Sequence, residues 1–287
     1  MTGPHPDRSV SRLWAISDLH VEIPANRNFV DRLEQQHHED WLVVAGDVGE
    51  FMSDITWALG LLARRFTQVV WVPGNHELWT RPDDPNQLRG VERYEHLVEF
   101  CRSVGILTPE DAYATWNGSE GPVRVAPIFT LYDYSFLPQG SSGKEEALAR
   151  AYAAGSVCTD EFLLHADPFD TTEQWCADRV ARTRATLEEA TKEPLPTVLV
   201  DHFPLRRELL ARLLYPEFSI WCGTTETSDW HSRFPTPVVV YGHLHIPSTR
   251  YFDGVRYEEV SLGYPREWKR RRTPVATPRV VLENASA

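Results

Sequence analysis

Cysteine is scarce and poorly placed for bridging: Cys101, Cys158, Cys176 and Cys222 stand far apart in 287 residues and form no C-x-x-C pair. That argues against a disulfide framework and a Cys₄ zinc site, and for reduced thiols in a cytoplasmic protein. Long apolar runs are also missing. None approaches the ~20 residues that span a bilayer, and the polar segment Met1–Arg12 has no apolar core of the kind a secretory signal needs. Positive charge is in deficit, with 29 Lys and Arg against 41 Asp and Glu and a formal net charge of −12. Such a balance is unsuited to gripping a nucleic-acid backbone, so neither nucleic acid nor membrane is expected as a partner. Internal repeats and low-complexity tracts are lacking too. One basic cluster interrupts the acidic background: Arg266, then Lys269-Arg270-Arg271-Arg272. It reads as a solvated tail, with docking of an acidic partner as the sharper alternative.

What the chain has in quantity is short buried strands that end in polar ligands. Leu13-Trp14-Ala15-Ile16 runs into Asp18-Leu19-His20, Trp41-Leu42-Val43-Val44 into Gly46-Asp47, and Val69-Val70-Trp71-Val72 into Gly74-Asn75-His76-Glu77. Val198-Leu199-Val200 precedes Asp201-His202, and Val238-Val239-Val240 precedes Gly242-His243-Leu244-His245. Continuous apolar runs of this length read as strands covered on both faces. Ligands at their ends converge on one sheet edge, where open α/β folds place their sites. Because the ligands span Asp18 to His245, one domain is expected over 13–272, with a flexible segment at 1–12 and a tail at 273–287.

Between these strands, helices are expected over Asn28–His38, from Ser53-Asp54 through Phe66, over Leu88–Val104, over Thr171–Lys192 behind a Thr171/Gln174 capping box, and over Leu205–Leu214. Val123–Tyr134 reads as a central strand. Ser248–Phe252 and Val255–Val260, joined by Asp253-Gly254, form the clearest hairpin. The loops 135–143 and 215–230 are long enough to suggest function.

Asp18, His20, Asp47, Asn75, His202, His243 and His245 supply imidazole, carboxylate and amide oxygen without thiolate. That donor set suits first-row ions such as Mn, Fe, Co or Zn. Seven ligands are too many for one open catalytic ion and suit two that share Asp47, roughly 3.5–4 Å apart. In extended backbone, residues i and i+2 point the same way, which would let Asp18 and His20 chelate together and His243 and His245 serve two neighbouring ions. Glycines 46, 74 and 242 leave room at crowded positions. Any one of these motifs alone is more often a turn or a satisfied core histidine. Five in this order are metal chemistry.

The ordered set D-x-H, G-D, G-N-H-E, a later His and G-H-x-H resembles the calcineurin-like metallophosphoesterases. The resemblance implies an α/β fold, a four-layer α/β/β/α sandwich with two mixed β-sheets, and a dinuclear centre at one edge. By motif, Asp18, His20 and His245 would hold one metal, Asn75, His202 and His243 the other, and Asp47 would bridge them. Mn and/or Fe are the ions most expected. The implied reaction is metal-dependent hydrolysis of a phosphoric ester by a metal-bound hydroxide, with His76 stabilising or protonating the leaving oxygen. Glu50 is the candidate to orient His76, in preference to Glu77.

Longer segments narrow the substrate. Residues 13–17, 131–136, 215–224 and 263–268 are similar to those of an actinobacterial subgroup of phosphoesterases that includes a 4′-phosphopantetheinyl hydrolase. That similarity implies removal of phosphopantetheine from a holo-carrier protein. Tyr132, Tyr134, Phe136, Phe218 and Trp221 are then candidate walls for a pantetheine arm, with core packing as the alternative reading. Arg206 and Arg207 are candidate contacts to phosphate or to an acidic carrier. A small-molecule phosphodiester, nucleotides included, is the alternative substrate. The motifs are silent on oligomeric state. A non-catalytic scaffold is disfavoured because every ligand and His76 are present, and a phosphoprotein phosphatase because Gly46-Asp47-Val48-Gly49-Glu50 replaces G-D-x-x-D-R-G.

Overall fold

The computed structural model describes residues 10–35, 38–269 and 278–285. The first sheet takes its order from the opening β-α alternation. Strand β1 (Val10–Ile16) leads through helix α1 (Pro24–Val30) to β2 (Trp41–Ala45), and α2 (Met52–Ala63) leads to β3 (Gln68–Val72). The three strands pair in parallel, β1 with β2 and β2 with β3. Helix α3 (Gly90–Ser103) then crosses to the second sheet, which opens with the hairpin β4 (Ala114–Gly118) and β5 (Gly121–Pro127). Helices α4 (Lys144–Ala153), α5 (Asp160–Leu163) and α6 (Thr172–Ala190) precede β6 (Thr197–Val200). The short α7 (Trp230–Arg233) precedes β7 (Val238–Tyr241), β8 (Ser248–Phe252) and β9 (Val255–Glu259). Helix α8 (Pro265–Trp268) and β10 (Arg279–Ala285) close the chain. The two sheets run β10-β1-β2-β3 and β4-β5-β6-β7-β9-β8. In the second, β5, β6, β7 and β9 pair in parallel while β4 and β8 pair antiparallel at the edges, so both sheets are mixed.

The apolar runs lack polar alternation because each strand is covered twice. Leu13, Ala15, Val43, Ala45, Val70 and Val72 meet Val125, Val198, Val200, Val238 and Val240 between the sheets. The intervening Leu42, Val44, Val69, Trp71, Leu199, Val239 and Tyr241 face the core under the helices. Alternation at period two thus sorts one apolar run into two cores, which is the four-layer sandwich. Each fully buried Val or Leu contributes about 1.5–3 kcal/mol. The sheets are joined at their carboxyl edge by backbone: Ser17 N–H donates to Val260 O at 3.1 Å and Leu262 N–H to Ser17 O at 2.8 Å.

Several elements depart from expectation. Helix α1 starts at Pro24, whose fixed φ suits the first helical position, and ends at Val30; residues 36–37 of the expected helix lie outside the described residues. The strand expected over Val123–Tyr134 ends at Pro127, and Leu131 and Tyr134 adopt positive φ of 60° and 62°. Leu205–Leu214 holds only a 3₁₀ turn over Arg207–Arg212. Thr171 caps α6 by accepting from Gln174 N–H, but the Gln174 amide oxygen reaches Asp170 N–H, so the expected reciprocal box is shifted by one residue. Both expected termini shrink. Val10–Arg12 belong to β1, and Arg279–Ala285, expected as tail, form β10 against β1. Val281 is buried there, and the pairing covers an edge that would otherwise expose unpaired backbone. Residues 1–9, 270–277 and 286–287, with Arg270–Arg272 of the basic cluster, lie outside the described residues.

Candidate metal centre

The ligand strands end at one edge, and their side chains converge. Three triplets of ligand atoms each lie within 4.8 Å: Asp18 with His20 and His245, Asp47 with His202 and His243, and His20 with Asp47 and His76. Asp47 therefore sits between the two groups. The backbone route differs from the extended i, i+2 geometry anticipated. Asp18, His20, Asp47, His243 and His245 all have positive φ, between 43° and 71°. They occupy tight turns just past the strands, in a left-handed conformation that costs of order 1 kcal/mol per residue and persists only where packing over-determines it. Glycine is required beside them: a Cβ on Gly74 would lie 2.1 Å from Asp47 Oδ1, and one on Gly242 would lie 2.3 Å from Ser17 Oγ.

Two of the imidazoles are held by their outer nitrogens. His202 Nδ1–H donates to Ala45 O at 2.8 Å, and His245 Nδ1–H to Glu267 Oε2 at 2.9 Å, which presents both Nε2 atoms inward. His20 Nδ1 faces Glu22 at 3.7 Å, and the His20 ring stacks on Tyr264 with centroids 4.8 Å apart. Asp18 accepts from Ser17 Oγ–H, Ser261 Oγ–H and His243 N–H.

Two tests bear on whether these residues fit metal. Asn75 Oδ1 and His243 Nε2 are buried without a hydrogen-bond partner among the described residues. Two pairs of imidazole nitrogens also face each other at 3.2 Å, His20 Nε2 with His245 Nε2 and His202 Nε2 with His243 Nδ1. An orphaned amide oxygen and an orphaned imidazole nitrogen are costly in a buried site unless a cation takes them up, and the facing nitrogens can be satisfied only by a shared proton or a cation. The charges agree. Burial works against protonation of His202 and His245, yet Asp47 and Asp18 outweigh it and raise both to about 10. Burial and His202 instead push His243 down to about 3. Without cations, protons on two imidazoles must balance the carboxylates; cations of higher charge would displace those protons. The donor set fits two ions.

His76 lies beside this array. Its Nε2 is 3.8 Å from Asp47 Oδ2, and its Nδ1 faces Glu50 Oε1 at 3.4 Å, longer than an ordinary charge-assisted hydrogen bond. Glu50 is itself gripped by Arg81 at 2.6 Å. Burial alone would raise the Glu50 carboxyl, but His76 and Arg81 hold it below the ordinary range. The ring packs on Trp79 with centroids 3.7 Å apart.

Three supporting acids escaped the sequence reading. Glu77, set aside as an orienter of His76, is fully buried and accepts from Asp47 N–H, Val48 N–H and Gly74 N–H at 2.7–2.9 Å, tying the G-D and G-N-H-E turns together. Glu267 holds His245 and was hidden within a segment quoted only for its resemblance. Asp160, buried at the start of α5, accepts from Asn75 Nδ2–H at 2.9 Å and Trp79 Nε1–H at 2.7 Å. No motif surrounds it. Its grip takes up the amide nitrogen of Asn75 and leaves Oδ1, buried without a partner among the described residues, as the end available to a cation. Asp160→Asn should therefore weaken metal affinity about 10–100-fold, the usual cost of losing an orienting partner. Chelator competition would read this, with melting temperature as the control, and unchanged affinity would remove Asp160 from that role.

A cleft of about 560 Å³ opens over the centre, lined by Asp47, Asn75, His76, Trp79, Phe218, His243, His245 and Tyr264 inside, and by residues 155–159 and 213–215 towards the mouth. Most of the expected substrate contacts are elsewhere. Tyr132, Tyr134, Phe136 and Trp221 are buried in the core, and the Tyr134 and Trp221 polar groups both donate to Glu161. Of the two readings open to these rings, core packing holds: their size and apolar bulk put them under the loops. Phe218 alone of that set lines the cleft. Arg206 is tied to Glu208 and Asp253, and Arg207 reaches Leu137 O and lines a separate hollow with residues 135 and 137–141.

Known proteins resemble the chain throughout. The model of the calcineurin-like phosphoesterases matches residues 11–247. The [acyl-carrier-protein] phosphodiesterase PptH of Mycobacterium tuberculosis is 53% identical over 270 residues, which cover 94% of this chain and 83% of that protein. The crystal structure of that organism's phosphopantetheinyl hydrolase, PptH, superposes with a TM-score of 0.90 at 52% identity, covering 93% of this chain and 94% of that one.

Proposed function

The chain belongs to the calcineurin-like phosphoesterase family, and on that premise we propose that it is a phosphodiesterase that removes 4′-phosphopantetheine from a holo-carrier protein. The observation that carries the chemistry is Asp47 lying between two ligand triplets at the base of a cleft, with His76 alongside. The extensive likeness to PptH supports the substrate. We assign Asp18, His20 and His245 to one ion, Asn75, His202 and His243 to the other, and Asp47 to both. A set of imidazole, carboxylate and amide oxygen favours first-row ions, Mn and/or Fe first. Bound there, two cations would neutralise phosphate charge and supply the Lewis acidity that makes water nucleophilic near neutral pH.

The protein's own groups do the rest. Ser17, Ser261 and His243 N–H fix the Asp18 carboxylate, while Glu267 and Ala45 O fix His245 and His202, so the ligands are set before substrate arrives. Trp79, Phe218 and Tyr264 offer apolar walls inside the cleft for the arm. The oxygen of water adds to phosphorus as the P–O bond to the carrier serine breaks; His76, oriented by Glu50 and the face of Trp79, delivers its proton to the departing serine oxygen and is recharged by the proton the water sheds. The products are free 4′-phosphopantetheine and apo-carrier. A cytoplasmic setting belongs to the same proposal: the four cysteines are buried thiols, and among the described residues no helix is long and apolar enough to cross a membrane.

The test is to incubate the protein and Mn²⁺ with holo-carrier and weigh the carrier. Its mass should fall by that of the phosphopantetheine arm. An unchanged carrier beside rapid cleavage of bis(p-nitrophenyl) phosphate would leave a phosphodiesterase for small diesters, the alternative substrate class.

A further inference from the structure

Apolar side chains that stand in water around a polar metal cleft are of no use to a small, charged diester. Three such residues ring the mouth of this one. Leu214 is 82% exposed, Val157 57% and Tyr215 56%, and all three line the cleft. Single exposed apolar residues are ordinary on any surface. Here three of the seven large ones among the described residues gather at one opening, and grouping of that kind marks a contact surface. Two segments distant in sequence, 155–159 and 213–215, bring them together.

The same mouth carries positive charge on a chain whose net charge is −12. Arg266 lines the cleft, and its nearest acid, Glu267, is 3.9 Å away and already committed to His245. Arg212 directly precedes the lining residue Leu213, is exposed, and makes no ion pair among the described residues. Glu208, the acid closest to it in sequence, is taken up by Arg206 at 2.7 Å. Of the arginines considered from sequence, Arg206 is neutralised and Arg207 is turned to a separate hollow, so the positive charge at the mouth comes from the exposed Arg212 and from Arg266, whose one ion pair is long at 3.9 Å.

We propose that the rim of Val157, Leu214 and Tyr215, flanked by Arg212 and Arg266, is the docking surface for an acidic carrier protein whose prosthetic arm enters the cleft. This rests on the phosphopantetheinyl hydrolase reading above and adds the partner's footprint to it. The geometry is continuous: a protein seated on the rim can pass an arm along the cleft to Asp47 and His76. Apolar contact at the centre with cations at the edge is how a transient protein interface combines affinity with steering.

The test compares two substrates in the metal-loaded, full-length protein. Leu214→Glu and Arg212→Glu, alone, should each raise the KM for holo-carrier about 10-fold or more, since each adds repulsion against an acidic partner. The rate on bis(p-nitrophenyl) phosphate and the metal content should stay at wild-type values. Added salt should raise the wild-type KM for holo-carrier and affect Arg212→Glu less. Wild-type kinetics on holo-carrier in both variants would overturn the docking surface while leaving the hydrolase reading intact. Parallel losses on both substrates would also overturn it, since the defect would then lie in the cleft. A change in oligomeric state in Leu214→Glu would reassign the rim to a second copy of the chain. A wild-type protein inert toward holo-carrier would remove the substrate reading and the surface with it.

Discussion

Asp47→Ala should hold fewer than two metal ions per chain and lose roughly 10³–10⁴-fold in phosphodiester hydrolysis, the rate equivalent of the several kcal/mol a metal centre contributes. Asp47 lies within one triplet with His202 and His243 and within another with His20, which places it between the two ligand groups. Its carboxylate also raises His202, and Oδ1 accepts from His76 N–H at 3.0 Å. Truncation thus removes the bridge, a charge and an anchor for the turn at His76 together. Folding should lose some stability as well, because His202, His76 and His20 hold the buried Asp47 carboxylate charged, while Glu77 still ties the backbone of the two turns. Elemental analysis after gel filtration, a diester assay and a melting curve would separate these effects. Two ions retained in Asp47→Ala would show that the centre is not bridged there. Asp47→Asn is the companion variant: it keeps an oxygen for the His76 amide but no charge, so retained metal with this variant alone would place the weight on geometry instead.

The ligand edge could be read from the strands themselves, because burial on both faces removes polar alternation and a ligand at each strand end then points to one place, whereas the four-layer sandwich was implied by the family resemblance. Leu42-Val43-Val44 and Val198-Leu199-Val200 carry that signal in three residues each. What escaped is what depends on tertiary neighbours. Nothing local marks Asp160, since its work is to hold an amide 85 positions away. Glu77 looked like a candidate partner for His76 by adjacency, yet a buried carboxylate among three backbone N–H groups serves those first. The left-handed turns at Asp18 and His243 could not be anticipated either. Side-chain period brought Asp18 and His20 together, as the structure does, but through the wrong backbone, while His243 and His245 fall in different ligand groups. The aromatic loop segments misled for the opposite reason: Tyr132 and Trp221 have chemistry suited to a cleft, but their bulk is most stable in the core, where Glu161 satisfies the Trp221 indole. Strand β10 was missed because it follows a run of Arg and Pro that reads as an ending, although Val280-Val281-Leu282 is a strand in miniature.

His76→Ala should separate protonation from metal binding. Turnover of holo-carrier should fall about 10²–10⁴-fold, the range of a general acid, with both ions still bound and KM little changed. The geometry makes the loss depend on the leaving group. A serine alkoxide is strongly basic and needs the proton, whereas a nitrophenolate departs without one, so bis(p-nitrophenyl) phosphate should be spared much of the defect. Glu50→Gln should cause a smaller loss with the same leaving-group bias, because Trp79 still packs on the ring from one side while the 3.4 Å contact to Nδ1 loses its charge. Arg81 would then be left without its Glu50 partner but would keep Asp83, so the fold around the site should survive that change. Equal losses on the two substrates in His76→Ala would argue that the imidazole steadies the phosphate and protonates nothing. Loss of metal in the same variant would make His76 a ligand, as the triplet with His20 and Asp47 permits.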